Sequence, residues 1–161
     1  MFRYERPQKG RLRQFHQFGV ELLGVKDYFA DIEVIYLAES FLKKINILSQ
    51  TSLKINSLGD NESRENYKRE LKLFLEKYSN DLSTESQIRL QNNPLRILDT
   101  KVDFEIEIIK NAPHILDYLN KEDKNHFSNV LSYLDSLSIN YTVDYKLVRG
   151  LDYYNDLTFE F

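Results

Sequence analysis

The chain has 161 residues and a formal charge of −3, and its 42% hydrophobic and 13% aromatic content is enough for one domain with a buried core. The absence of cysteine excludes disulfides and thiolate chemistry and fits a reducing, cytoplasmic setting. There is no long uncharged apolar run, and the three histidines lack the spacing of metal ligands. We therefore expect neither a membrane span nor a structural metal.

The first 14 residues concentrate positive charge in an acidic chain. MFRYERPQKGRLRQ contains one acidic residue, Glu5, and five basic ones, namely Arg3, Arg6, Lys9, Arg11 and Arg13. Residues 2–6 and 12–22 predict two strands around a turn at 7–10, because Pro and Gly favour turns. Such a hairpin is either a solvated surface feature or an anion site, in which arginine holds phosphate oxygens and Phe15 stacks on a base.

The next part of the chain predicts a helix, a strand and a second helix. We expect Asp31 to cap a helix that runs to about Ile45, and a strand over 51–58. Asp60 is expected to cap the second helix. Five of its residues form one apolar stripe at helical spacing, namely Tyr67, Leu71, Phe74, Leu75 and Tyr78. We expect the first three of these to be buried.

The second half predicts more helices and then a return to strands. Thr84 and Gln87 form a capping-box pattern, and the Asn-Asn-Pro sequence at 92–94 ends that helix. The remaining expected elements are short helices over 103–119 interrupted near Pro113, a helix over 122–137, and strands over 141–148 and 157–161.

This order of elements favours an α+β fold. We expect a helical insertion, residues 60–138, within a mainly antiparallel sheet whose parts are residues 1–59 and 139–161.

Two blocks of the sequence resemble one family. ERPQKGRLRQFHQFGVELLG, with the preceding Phe2-Arg3-Tyr4, resembles motif 2 of class II aminoacyl-tRNA synthetases and, within that class, the histidyl-tRNA synthetases. LVRGLDYYNDLTFEF (147–161) resembles the histidine-binding motif of the same family. INSLG (55–59) and NPLRILD (93–99) are also similar to it, so the resemblance covers essentially the whole chain.

The resemblance implies a reaction in which histidine and ATP, with Mg²⁺, form an adenylate and histidine then passes to its tRNA. It implies two catalytic cations at the α-phosphate, Arg3 and Arg149. The ATP-binding residues that it implies are Arg3, Glu5, Arg11, Arg13 and Phe15. Those for histidine are Gln17, Glu21, Arg149, Tyr153 and Tyr154. Those for the tRNA acceptor end are Arg6, Gln8, Lys9 and Arg11.

Several of these residues also have a structural interpretation. Phe15 is equally compatible with ordinary strand core, and a single glutamate such as Glu21 is most often a surface residue. Tyr153 and Tyr154 could simply be the two faces of a strand. His16 is interpreted as structural.

The resemblance begins at motif 2 and stops before motif 3. We therefore expect a fragment of a homodimeric parent's catalytic domain that is inactive alone. The alternative is a non-catalytic synthetase-like protein, such as the regulatory subunit of the ATP phosphoribosyltransferase of histidine biosynthesis. The ERPQKGR loop favours the ligase, and the acidic remainder argues against a plain nucleic-acid-binding module.

Overall fold

The computed structural model describes residues 1–4, 6–148 and 156–161. Its helices are α1 (Tyr28–Lys44), α2 (Asn61–Glu76), α3 (Thr84–Asn92), α4 (Asp103–Ile109) and α5 (Lys121–Ser136). Its strands are β1 (Leu53–Gly59), β2 (Tyr141–Val143) and β3 (Asp156–Glu160). Helices packed with a small sheet confirm the α+β class.

The described strands form one mixed sheet in the order β2-β1-β3. The central strand, β1, runs antiparallel to β3, with Asn56 opposite Thr158. It runs parallel to β2, with Leu53 opposite Tyr141. A parallel pair requires a crossover connection, which the helices between β1 and β2 supply.

Two apolar cores stabilise the fold. One lies between the sheet and helices α1 and α5, and its buried residues are Ile32, Ile35, Leu53, Ile55, Phe127, Val130, Leu134 and Ile139. The other joins α2, α3, α4 and the turns between them, and it includes Tyr67, Leu71, Leu75, Leu90, Ile97 and Ile115. Leu116 packs against both cores. Helix α5 therefore packs on the sheet core, although it lies within the predicted insertion.

Helix α1 begins earlier than predicted because a different aspartate caps it. The Asp27 carboxylate accepts a hydrogen bond from the Phe29 backbone N–H at 2.9 Å. Asp31, the predicted cap, lies one turn inside the helix and hydrogen-bonds His126 of α5 at 2.6 Å. Asp31, which the sequence pattern predicted as the helix cap, thus forms a tertiary contact between α1 and α5.

Helix α2 has the predicted cap and most of the predicted buried stripe. Asp60 accepts from the Ser63 N–H at 2.7 Å, and this hydrogen bonding lowers the pKa of its carboxyl group. Tyr67, Leu71 and Leu75 are buried. The prediction that Phe74 is buried was wrong, because it packs half-buried at the edge of its core.

Two other boundaries differ from the predictions. The cap of α3 is Ser83 rather than Thr84, since the Ser83 hydroxyl accepts from the Ser86 N–H at 3.3 Å. The strand predicted over 141–148 ends at Val143. There the Leu147 N–H donates to the Asp144 carbonyl at 2.9 Å and closes a turn.

Candidate active site

The N-terminal hairpin forms, but it is less regular than predicted. Gln8 and Arg11 exchange two backbone hydrogen bonds, of 3.2 and 2.8 Å, across a two-residue turn. The second turn residue, Gly10, has φ 79°, in the left-handed region that favours glycine. Isolated bridges replace the strands predicted over 2–6 and 12–22, and residues 15–27 have no helix or strand.

The hairpin brings an arginine and an aromatic ring of the predicted ATP site together. The Arg3 guanidinium carbon lies 4.4 Å from the centroid of the Phe15 ring, and both residues are half-buried. Arg3 also donates from Nε to the Leu12 carbonyl at 3.3 Å. The negative face of the ring attracts the cation, and the hydrogen bond orients it. This arrangement holds a positive charge beside a flat aromatic surface.

The other basic side chains of the hairpin are exposed around this pair. Arg13 lies 5.7 Å from the Tyr4 ring centroid and, with Pro7 and His16, lines an open concavity of ≈ 510 Å³. The remaining predicted phosphate and acceptor-end residues on the hairpin are also exposed, namely Arg6, Gln8, Lys9 and Arg11. The hairpin therefore presents a positively charged outer surface.

The predicted histidine-binding residues of the N-terminal region lie farther along the chain. Gln17 and Glu21 are exposed in the segment without regular structure. Phe18 stacks on Phe41 of α1, with ring centroids 5.0 Å apart and an angle of 17° between the planes. This stacking joins the segment to the helical body.

Four of the predicted site residues lie outside the described residues, namely Glu5, Arg149, Tyr153 and Tyr154. The residues that flank the Arg149 motif are described, and β1 contacts both flanks. Asn56 Nδ2 donates to the Leu147 carbonyl at 3.1 Å, and Ser57 Oγ donates to the Asp156 carbonyl at 3.2 Å.

Asn56 and Ser57 are two contact residues for which the sequence predicted no role. The signal that could have identified them is the Asn-Ser pair in the middle of an otherwise largely apolar strand, because an interior strand position favours branched and aromatic side chains.

An ion pair holds the turn that follows β2. Lys54 Nζ lies 2.8 Å from the Asp144 carboxylate. Partial burial alone would raise the pKa of Asp144, but the hydrogen bonds and charges of Lys54 and Lys146 together outweigh it and lower the pKa below its usual value. Asp144 also accepts from the Lys146 N–H at 3.0 Å. The chain leading to Leu147 is thus fixed by β1 from two positions.

Two negative findings apply to residues 1–4, 6–148 and 156–161. No group of three or more histidine, aspartate or glutamate side chains is arranged to hold a metal ion. No helix in this part of the chain is long and apolar enough to cross a membrane.

Comparison with protein families gives a match over the whole chain. The family model described as histidyl-tRNA synthetase matches residues 1–161. The chain is 53% identical over 161 residues to the histidine–tRNA ligase of Lactococcus lactis subsp. cremoris strain SK11, covering 100% of this chain and 37% of that protein. It is 54% identical over 160 residues to the ligase of Wolbachia pipientis, covering 99% of this chain and 39% of the relative.

A solved structure gives the same result. The chain matches the crystal structure of apo S. aureus histidyl-tRNA synthetase with a TM-score of 0.71 and 38% sequence identity. The match covers 99% of this chain and 36% of the crystallised chain. The chain therefore spans little more than a third of the length of the relatives that it matches.

Proposed function

The chain belongs to the histidyl-tRNA synthetase family, and we propose on this premise that it takes part in joining histidine to its tRNA. In the proposed reaction the histidine carboxylate attacks the α-phosphate of ATP and pyrophosphate leaves. A terminal hydroxyl of the tRNA then takes histidine from the adenylate, and AMP is released. The observation that carries this proposal is the match of the whole chain to the family, including the blocks around Arg3 and Arg149.

Arg3 and Phe15 provide geometric support for the nucleotide part of the site. Negative charge builds at the α-phosphate as the carboxylate attacks, and a fixed cation lowers the energy of that state. Arg3 is held by the Phe15 ring and the Leu12 carbonyl, so it needs little reorganisation to act there. The adenine would stack on the face of Phe15 that Arg3 does not cover.

The remaining roles follow the family motifs. We assign Arg149 as the second cation at the α-phosphate, and Glu5, Arg11 and Arg13 to ATP. Histidine binding is assigned to Gln17, Glu21, Tyr153 and Tyr154, with Arg149 nearby. The exposed hairpin side chains of Arg6, Gln8, Lys9 and Arg11 suit contact with the phosphates of a tRNA acceptor end.

Four broader proposals follow from membership of this family. Mg²⁺ accompanies ATP as part of the substrate, the whole protein works as a homodimer, and it works in the cytoplasm. The helical unit, residues 60–138, is proposed as the part nearer the tRNA, with its last helix, α5, packed on the sheet core.

A chimera tests the proposed reaction. These 161 residues replace the matching segment of the Lactococcus lactis ligase, and histidine-dependent ATP–pyrophosphate exchange is measured. We expect exchange that requires histidine and is not supported by other amino acids. A folded chimera without histidine-dependent exchange would contradict the proposal, and the unmodified Lactococcus ligase serves as the positive control.

A further inference from the structure

Asn56, in the central strand β1, is an exception to the rule that buried polar atoms form hydrogen bonds. This side chain is 0% exposed, and its Oδ1 has no hydrogen-bond partner among the described residues. A buried polar atom without a partner costs about 1–3 kcal/mol, and asparagine is a poor strand former. A branched apolar residue would pack here at lower cost. Stability alone therefore does not explain Asn56.

The one hydrogen bond that the Asn56 side chain makes in the described structure goes to Leu147, two residues before Arg149. Its Nδ2 donates to the Leu147 carbonyl at 3.1 Å, across 91 positions of sequence. The next strand residue, Ser57, is 3% exposed and donates to the Asp156 carbonyl at 3.2 Å. Because successive side chains of a strand point to opposite faces, these two neighbours contact the two flanks of the Arg149 motif from opposite faces of the sheet.

The backbone at the second flank is also unusual. Asp156 has φ 57°, a conformation that non-glycine residues rarely adopt, and it pairs with Gly59 beyond an irregularity in the β1–β3 register. Such backbone persists only where neighbouring contacts hold it. The Ser57 hydrogen bond to Asp156 is one of these contacts.

We propose that Asn56 and Ser57 are positioning residues for histidine activation, which act by holding Leu147 and Asp156 on the two sides of the Arg149 motif. This inference rests on the proposed function, because it assigns to the motif the binding of histidine. Neither side chain needs to touch a substrate. A shift of about 1 Å in the groups that orient a substrate can reduce the rate about 100-fold, so small changes at the flanks are sufficient.

The first test measures placement without any enzymatic activity. Hydrogen–deuterium exchange of the backbone amides over 147–156 is followed in the 161-residue chain and in Asn56→Ala. We expect exchange over these residues to become about tenfold faster. Asn93→Ala is the matched control, because Asn93 also has a buried Oδ1 without a partner in the described structure but lies before Pro94, in a turn between helices. Exchange over 147–156 that is unchanged in Asn56→Ala would overturn the proposal.

The second test measures function in the Lactococcus chimera. We expect Asn56→Ala to lower kcat/KM for histidine by about 10- to 100-fold while KM for ATP changes less than about twofold. Asn56→Asp keeps the size but removes the donor to Leu147, so it should behave like the alanine variant. Ser57→Ala is a smaller change that keeps the test decisive if Asn56→Ala does not fold.

The outcomes separate this inference from the proposed function. Faster amide exchange with histidine kinetics no worse than those of Asn93→Ala would overturn the positioning role. A parental chimera that lacks histidine-dependent exchange would overturn the proposed function and, with it, the role of the two residues in histidine activation. Their contact with the motif flanks would still be decided by the amide-exchange measurement.

Discussion

At the scale of single residues, Arg3 and Arg149 are assigned the same phosphate although 146 positions separate them. In the Lactococcus chimera, we expect Arg149→Ala to slow adenylate formation by about 10²- to 10³-fold, because its charge matters most where negative charge develops. Pre-steady-state exchange rates measure this. Histidine binding, measured at equilibrium, should weaken much less.

Arg96→Ala is the control for this experiment, since Arg96 is exposed on the turn Pro94–Ile97. An adenylation rate that stays normal in Arg149→Ala, with only a higher histidine requirement, would contradict the assigned role.

Glu105 is a buried carboxylate that organises the start of α3. It is 0% exposed and accepts hydrogen bonds from the Ser83 N–H at 2.8 Å, the Ser86 hydroxyl at 3.0 Å and the Thr100 hydroxyl. Burial alone would raise the pKa of Glu105, but these three donors outweigh it and lower the pKa below 4.5. The ionised carboxylate is therefore the form that stabilises the fold.

The lowered pKa of Glu105 determines how its contribution to the free energy of unfolding changes with pH. The stabilising contribution of Glu105 is complete above pH 4.5, the ordinary value for the unfolded chain, and is lost as pH falls through the lower folded pKa. Glu105→Gln should lower the free energy of unfolding at pH 7 by about 1–3 kcal/mol and flatten its fall in acid. Urea melts from pH 3 to 7 measure both effects. Glu107→Gln, on the exposed side of the same helix, should change neither by more than about 0.5 kcal/mol.

At the scale of elements, the apolar stripe of α2 buries one leucine, whereas a leucine two positions later lies outside the stripe and is exposed. Leu71 is 0% exposed and Leu73 is 55% exposed. Leu71→Ala should lower the free energy of unfolding by about 3 kcal/mol, because it loses apolar contacts and leaves a cavity. Leu73→Ala should change it by less than about 0.5 kcal/mol. Equal effects of the two substitutions in denaturant melts would mean that the helix faces the core differently.

The caps show why helix starts were predicted with mixed success. Asp60 was identified correctly because it directly follows Gly59, which ends the strand, whereas α1 offered Asp27 and Asp31 one turn apart. Both aspartates are compatible with a helix start by local pattern. Asp27 is the cap, and the Asp31 carboxylate instead hydrogen-bonds His126 of α5 in a contact between helices.

At the scale of the whole molecule, Leu116 links the two apolar cores. Leu116→Ala should lower the overall free energy of unfolding by about 1–2 kcal/mol, since the side chain is half-buried. We also expect the amides of α2 and α5 to lose protection separately in hydrogen exchange of Leu116→Ala, and together in that of the unmodified chain.

Ile88→Ala is the control for this substitution, because Ile88 is 58% exposed and lies outside both cores. If α2 and α5 still open together in Leu116→Ala, other contacts couple the cores.

Features that depend on local pattern could be predicted from the amino-acid sequence. The helical stripe of α2, the turn at Gly10 and the Asn-Pro end of α3 follow from residue spacing and backbone preference. The family motifs also lie in continuous stretches, so the candidate site residues could be named. Arg3 and Phe15 come together for the same reason, since a hairpin joins residues close in sequence.

Contacts between distant parts of the chain could not be predicted in this way and are known from the folded structure. It placed β2 parallel to β1, packed α5 with α1 on the sheet, and used Asn56 to hold Leu147. These contacts depend on which apolar faces are buried against each other and on which buried polar groups then need hydrogen-bond partners. Residue spacing carries no information about the partner in such contacts, because the partner lies tens of positions away and is selected by the packing of the whole chain.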